Sequence, residues 1–337
     1  MTQRREMRPP GAPSIRGLSF RHYEGEQDLP IVVDVPNRSM TADGDAFAIT
    51  INDARSEYGH PLNFDPSEDV MIAELEGKPI GVSSVRWKQK PEGIRLYEHH
   101  AHLVPESRLP GLRQSMFLWG EQRLREIAAG HDTKDRKELE VWTKAEMNDW
   151  RMLVVANGYK DAWHLFEMRR PNLDNIPDHK LPAGIELRPV TRDNFRAVFM
   201  GAHEAFLDER GYTEERWGEE AYERTLANPE LRLDLWQVAW DGDQVVGGVA
   251  IVISEQENAA MNRKRGWTEA VFVRRPWRKK GVARALLASA LRVVKDMGME
   301  EAALGVDTDN PSGALKIYKD MGYVADFEFI FARKPLE

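Results

Sequence analysis

No cysteine occurs in the 337-residue chain, which excludes disulfides, thiol nucleophiles and thiolate metal ligands. Apolar runs of membrane-spanning length are also missing, and Met1 to Gly17 carries arginines and prolines without a hydrophobic signal core. Residues 1–17 therefore read as a flexible N-terminal tail, and a cytoplasmic protein without a membrane partner is expected. An excess of positive charge is absent too, since 47 Lys and Arg face 55 Asp and Glu, a formal net charge of −8. Nucleic-acid binders usually present basic surface to neutralise phosphates, so no nucleic-acid partner is expected.

What the chain has is an apolar fraction of 42%, ample for ordinary cores, and a length better suited to two domains than to one. Its most informative stretch is residues 271–284, Val-Phe-Val-Arg-Arg-Pro-Trp-Arg-Lys-Lys-Gly-Val-Ala-Arg. A β-branched run breaks there into a basic turn, and Ala283 to Val294 continues as an apolar helical pattern. Gly281 permits dihedrals closed to other residues, and the backbone amides of such a turn, with the new helix's N-terminus, cradle an anion. Arg278, Lys279 and Lys280 add charge beside it, so a phosphorylated ligand is expected. The turn lacks the Gly-Lys-Ser/Thr of a Walker loop and the three glycines of a dinucleotide fingerprint. Read alone, Arg274 to Arg284 also fits a basic patch, but Pro276, Trp277 and Gly281 interrupt it.

Landmarks recur. Ile72 to Val82 and Val238 to Gly248 both read as two strands joined by a tight turn, with the same spacing from Ala73 to Gly81 and from Ala239 to Gly247. Arg108-Leu109-Pro110-Gly111 precedes an amphipathic helix, Met116 to Ile127, as Arg278 to Gly281 precedes its own, and Gly158-Tyr159 echoes Gly322-Tyr323. Pro171 to Ala183, rich in Pro, Asn and Asp, suits a linker. The pattern predicts a tandem duplication: a tail over 1–17, a first domain over 18–170, a linker over 171–183 and a second domain over 184–337.

The spacing Arg278-x-x-Gly281-x-Ala283 between a strand and a helix resembles the acetyl-CoA motif of the GNAT superfamily of N-acetyltransferases. Residues 310–323, in which an Asn opens a short helix carrying Tyr318 and a Gly-Tyr pair follows, resemble that superfamily's second signature. A tandem GNAT of this length is similar to mycothiol synthase-like acetyltransferases. The resemblance implies an α/β fold of two tandem GNAT domains, each a mixed, mostly antiparallel sheet flanked by helices. It further implies acetyl-CoA as co-substrate, no metal, a small-molecule amine as acceptor, direct attack without an acyl-enzyme, and a monomer or homodimer. Antibiotic or polyamine acetylation is an alternative within the same chemistry, and a non-catalytic acyl-CoA sensor or scaffold is an alternative outside it.

By the resemblance, the backbone of Val271, Phe272 and Val273 would hold the pantetheine arm and the thioester oxygen, and Arg278, Lys279, Lys280, Gly281, Val282, Ala283 and Arg284 the pyrophosphate. Asn310 is a candidate cofactor contact, with helix capping as the plain alternative. Tyr318 is the candidate general acid for the departing thiolate, against a core tyrosine with a satisfied hydroxyl. Glu269 is the candidate general base. Strand alternation places it on the face of Trp267 and Val271, although family members carry their glutamate where Trp267 stands, and a solvated edge residue is the alternative. Carboxylates over 203–212 fall where the family covers its acceptor. The first copy carries Pro110 and Arg113 where the second has Lys280 and Ala283, and Val154 where the second has Tyr318, so it reads as a degenerate partner. His100 and His102 share a strand face, yet nothing around them completes a metal site.

Overall fold

The computed structural model describes residues 7–44, 48–144, 146–207, 209, 212–228, 231–310 and 313–336. In chain order the first half runs β1 (Leu18–His22), α1 (Leu29–Ala42), α2 (Ile51–Gly59), α3 (Pro66–Asp69), β2 (Val70–Leu75), β3 (Lys78–Lys90), β4 (Ile94–Leu103), α4 (Leu112–Ala129), β5 (Arg136–Lys144), α5 (Asn148–Ala156) and β6 (Lys160–Arg170). The second half repeats the theme with β7 (Ile185–Arg188), α6 (Arg192–Phe206), α7 (Glu214–Trp217), α8 (Glu219–Ala227), β8 (Gln237–Asp241) and β9 (Gln244–Val252). It continues with α9 (Glu255–Ala260), β10 (Arg265–Val273), α10 (Val282–Asp296), β11 (Glu301–Asp307), α11 (Ala314–Asp320) and β12 (Val324–Pro335). This is the mixed, mostly antiparallel sheet flanked by helices that the sequence predicts.

Two compact units form, unit 1 from residues 1–162, 213–215 and 330–337, and unit 2 from 163–212 and 216–329. They do not divide within 171–183. Most of β6 belongs to unit 2, and the end of β12, from Ile330, belongs to unit 1. In unit 2, β6 pairs antiparallel with β11, from Ala302 against Arg170 to Asp307 against Leu165. In unit 1, the end of β12 lies beside β5 in the order β1-β2-β3-β4-β5-β12. Unit 2 is ordered β12-β6-β11-β10-β9-β8-β7, with the Val324–Phe329 part of β12 at one edge. A sequence-local strand pattern carries no information on which neighbour a terminal strand chooses, so the repeat boundary and the unit boundary part company.

Helix packing explains the positions that matter for the site. On α10 the residues Val282, Ala285, Leu286, Ala290, Leu291 and Val294 are buried, an apolar stripe at helical spacing that packs on β9 and β10. Gly266 on β10 makes the fit close, because a Cβ there would stand 2.6 Å from Val294 Cγ1. β9 is buried over Val245 to Ile251, as a strand covered on both faces must be.

The start of the chain is more ordered than a tail. Residues 1–6 lie outside the described residues, but Pro9 is buried and Met7 and Ala12 pack against the core of unit 1. His99, Nε2 of which meets the Tyr159 hydroxyl at 2.9 Å, is a buried packing residue, and burial holds its ring neutral by lowering its pKa to about 4. Among the described residues no helix is long and apolar enough to cross a membrane.

The β12 end gives unit 1 a charged anchor. Arg333 pairs with Glu140, which is 3% exposed, and Lys334 forms an ion pair with Glu121, 4% exposed, at 2.5 Å. Arg333→Met would leave Glu140 buried without its cation, and loss of one partner from a buried pair costs about 3–5 kcal/mol. Urea unfolding is expected to show a fall of that order, with Arg333→Lys recovering part of it. Equal midpoints for wild type and Arg333→Met would show that the pair adds nothing.

Candidate active site

The site of unit 2 begins with a strand that cannot stay paired. β10 runs parallel to β11 only from Arg265 to Trp267, against Glu301 to Ala303. On its other side the register with β9 holds from Trp267 to Glu269, slips, and resumes at Phe272 against Gly248 and Val273 against Gly247. The slip is a bulge whose mark is Ala270 at φ 44°, a left-handed backbone at a non-glycine residue and therefore a local strain.

Glycines on β9 make room for the bulge. A Cβ on Gly247 would lie 2.5 Å from the Phe272 carbonyl oxygen, and one on Gly248 would lie 2.8 Å from the Phe272 ring. The bulge also reverses the alternation. Thr268 bonds the Tyr323 hydroxyl at 2.8 Å, and Val271 and Val273 pack on the same core as Tyr323, while Ala270 and Phe272 join the core built on α6 and α8. Val271 therefore does not share a face with Glu269, contrary to the expectation from unbroken alternation.

Past β10 the chain turns through Arg275 to Gly281 into α10. Gly281 is its N-cap at φ 86°, and Lys279 also takes positive φ, 61°. A Cβ at Gly281 would meet no protein atom within 4 Å, so the demand for glycine comes from the dihedral rather than from crowding. Arg278 does not point freely at an anion. Its Nε donates to the Val273 carbonyl at 2.9 Å and its Nη2 to the Ala205 carbonyl at 3.0 Å, so it ties the turn to β10 and to the end of α6.

Between these elements lies a cavity of about 730 Å³. Its wall includes Val271, Phe272, Val273, Arg278, Lys279, Gly281, Val282, Ala283, Arg284, Asn310 and Tyr318. Two of the residues picked from sequence are missing from it, Lys280, which is exposed, and Glu269, which is half-buried. Arg284 lines the cavity but is held by Asp320 at 2.8 Å. Trp277, fixed by a 3.0 Å bond from its indole N–H to Asp241, also contributes, as do Ala205, Phe206 and Glu209 from the end of α6 and the segment beyond it. The sequence marks residues 203–212 only as an acceptor cover; of these, Asp208, Arg210 and Gly211 lie outside the described residues, as do Pro311 and Ser312 of the second signature.

Asn310 is not the N-cap of α11, which is Gly313. Its amide donates to both oxygens of Glu209, at 3.1 and 3.0 Å. Tyr318, on α11, is 6% exposed; burial pushes its phenol well above the ordinary range, with the charges of Glu209, the neighbouring Tyr323 and Glu269 adding to the shift. The hydroxyl therefore stays protonated at neutral pH, and no hydrogen bond to another described residue occupies it. α11 is steadied by Arg170, which donates to the Met321 carbonyl, and by the Tyr323 to Thr268 bond. Burial raises the Glu269 carboxyl above its usual value, with Arg216 opposing and Glu257 reinforcing. Trp267, on the face of Glu269, is engaged by its own bond to Glu257, at 3.0 Å.

Residues 202–323 match the sequence model of the acetyltransferase (GNAT) family. No curated protein matches the chain significantly. Solved structures share the fold. A GCN5-related N-acetyltransferase from Sphaerobacter thermophilus is 21% identical with a TM-score of 0.72, the alignment covering 96% of each chain. A tandem GNAT protein from the clavulanic acid biosynthesis pathway is 15% identical at a TM-score of 0.66, over 94% of this chain and 98% of that one. The N-myristoyltransferase of Saccharomyces cerevisiae, solved with myristoyl-CoA, is 11% identical at a TM-score of 0.63, over 96% and 84%.

Gly247→Ala tests the bulge. The added methyl must displace the Phe272 carbonyl, an overpacking that costs about 1–3 kcal/mol, and the cavity wall moves with it. Chemical unfolding is expected to report a loss of that size, and calorimetry a weaker acyl-CoA complex. Unchanged stability together with unchanged affinity would show that the spacing of β9 and β10 is not a constraint.

Proposed function

We propose that the chain, whose residues 202–323 match the acetyltransferase (GNAT) family model, is an acyltransferase that transfers the acetyl group of acetyl-CoA to a primary amine of a small molecule by direct attack. The observation that carries this reading is the cavity itself. It joins the unpaired reach of β10, a left-handed turn at a helix N-terminus and a buried, protonated Tyr318 hydroxyl.

In this reading the backbone of Val271 to Val273 receives the pantetheine arm and the thioester oxygen, donors already in place where negative charge develops. The amides at Gly281 to Ala283, with Lys279, take the pyrophosphate. The amine nitrogen attacks the thioester carbon, the C–N bond forms, the C–S bond breaks, and Tyr318 gives its proton to the departing sulfur. Glu269 takes the proton lost by the amine through a bridging water, since its own carboxylate is not in the cavity wall. With no cysteine in the chain and both substrates held together, no covalent acyl-enzyme is formed. The resemblance to mycothiol synthase-like enzymes supports a small amine as the acceptor.

A free-thiol assay of CoA release across a panel of amines, aminoglycosides and polyamines included, tests the activity. Acetyl-CoA binding with no amine accelerating release would replace this reading with that of a sensor. For Tyr318→Phe the expected result is a loss in kcat of about a hundredfold with acetyl-CoA affinity nearly intact. Full turnover in that variant, under conditions where chemistry limits the rate, assigns the proton to another donor.

The acid limb of the pH profile tests Glu269. A base works only when ionised, so kcat/KM should fall as pH drops through a carboxyl pKa that burial has raised above its usual value. Glu269→Gln should lower the plateau and abolish that limb. Superimposable profiles for the two proteins would make Glu269 an edge residue.

A further inference from the structure

Unit 1 contains the counterpart of this cavity, and the chain fills it with its own side chains. Gly111, the N-cap of α4 at φ 77°, matches Gly281 at φ 86°. Counting from these glycines sets Arg108 on Arg278, Ala101 on Val271 and Arg113 on Ala283. Contacts support the frame. Arg278 bonds the carbonyl of Ala205 near the end of α6, and Arg108 bonds that of Ser39 near the end of α1, at 3.3 Å. The turn arginine pins the same helix end in both units.

At the position of Ala283, Arg113 reaches back to the strand. Its Nε donates to the Ala101 carbonyl at 3.0 Å, and its guanidinium lies over the Trp150 ring at 4.9 Å. Asp43, one residue beyond α1 and 9% exposed, sits 2.6 Å from Arg108 and 3.6 Å from Arg113. The space left among His100, His102, Trp142 and these groups is about 10 Å³, at the lower limit for one water, against about 730 Å³ in unit 2. In unit 1 the parallel pairing of β4 with β5 runs for five residue pairs, Ile94 to Glu98, before the strands reach Ala101. A strand leaving its neighbour in this way exposes backbone groups that need partners. In unit 2 a ligand can supply them, whereas in unit 1 Arg113 does.

We propose that Arg113, held by Asp43, is a built-in ligand of unit 1: its side chain lies where a pantetheine arm would run along β4, and the Asp43 carboxylate faces the turn where an anion would sit. Unit 1 then stays closed to acyl-CoA because its cleft is already filled, and the chain holds one acyl-CoA, in unit 2. The choice of pantetheine as the excluded ligand rests on the reading of unit 2 given above.

The test uses the full chain presaturated with CoA, so that the cavity of unit 2 is blocked, and titrates it with pantetheine in a calorimeter. Pantetheine carries no phosphate, so neither Pro110 nor Asp43 decides the outcome. Arg113→Ala is expected to take up one equivalent saturably and to gain hydrogen-exchange protection over 101–113. Wild type and Arg113→Met, whose side chain still fills the channel, should take up none. A folded Arg113→Ala protein that binds no pantetheine overturns the proposal, as does a wild type that binds it in unit 1. Should Arg113→Ala fail to fold, refolding in N-ethylguanidinium replaces the lost group, and recovery of the native melt supports the proposal while no recovery overturns it. Failure of CoA to bind the wild type refutes the acyl-CoA reading of unit 2 instead, and is seen before any pantetheine is added.

Discussion

The parting of β10 from β11 after three residue pairs is the constraint on which the candidate site depends. A fully paired strand would hide its backbone groups in the sheet and leave no channel. The bulge at Ala270 aims that backbone, and Gly247 and Gly248 on the neighbouring strand accept the bulge at contacts no Cβ tolerates. The strained dihedral at Ala270 is an expected cost where a binding surface must be open before its ligand arrives. The turn to α10 then supplies amides at a helix N-terminus, and the apolar stripe of α10 on β9 and β10 keeps that terminus fixed.

Around this frame, charge is largely committed. Arg278 spans two carbonyls, Arg284 pairs with Asp320, and Arg274 pairs with Glu204 at 2.6 Å. These groups shape the turn and the α6 end more than they attract an anion through open solvent. On the proposed reading such a division suits pyrophosphate recognition by backbone amides, because a donor fixed by the fold needs no reorganisation when the ligand binds. Tyr318 follows the same logic from the opposite side. Desolvation keeps its proton on at neutral pH, and the Thr268 to Tyr323 bond locks the segment behind it.

Much of this was legible in the sequence because it depends on local rules. A glycine needing positive φ, an apolar helical stripe and a β-branched strand before the turn are all short-range signals, and they located the turn, α10, α11 and Tyr318. The β9 Gly-Gly pair was visible too, but only as a landmark of the repeat. The bulge was not legible, since one inserted residue leaves the composition of a strand unchanged yet reverses its faces, and with it the expected company of Glu269. The carbonyl partners of Arg278 are illegible for a related reason. Charge beside a glycine turn suggests an anion, whereas the carbonyls that capture this guanidinium, those of Val273 and Ala205, come from chain segments whose approach only the fold decides. The exchange of β6 and β12 between the units is likewise a choice among edges that no local pattern encodes.

The two copies show how one backbone plan survives a change of chemistry. In both units an arginine three residues before a left-handed glycine clamps the end of the first long helix, so the clamp belongs to the architecture. Among the side chains beside the turn, what differs is the residue two positions after that glycine. A small Ala283 leaves the strand backbone facing a cavity, and a long Arg113 returns to satisfy it. The adjoining α5 supplies Trp150 as a platform for the guanidinium, while Val154 stands at the position of Tyr318. On the proposed reading the missing hydroxyl and the filled cleft are consistent with each other, because a general acid has no use beside a channel that admits no thioester. The asymmetry between the units is thus carried by a few side chains together with the bulge at Ala270, which the unbroken register of β3 and β4 lacks.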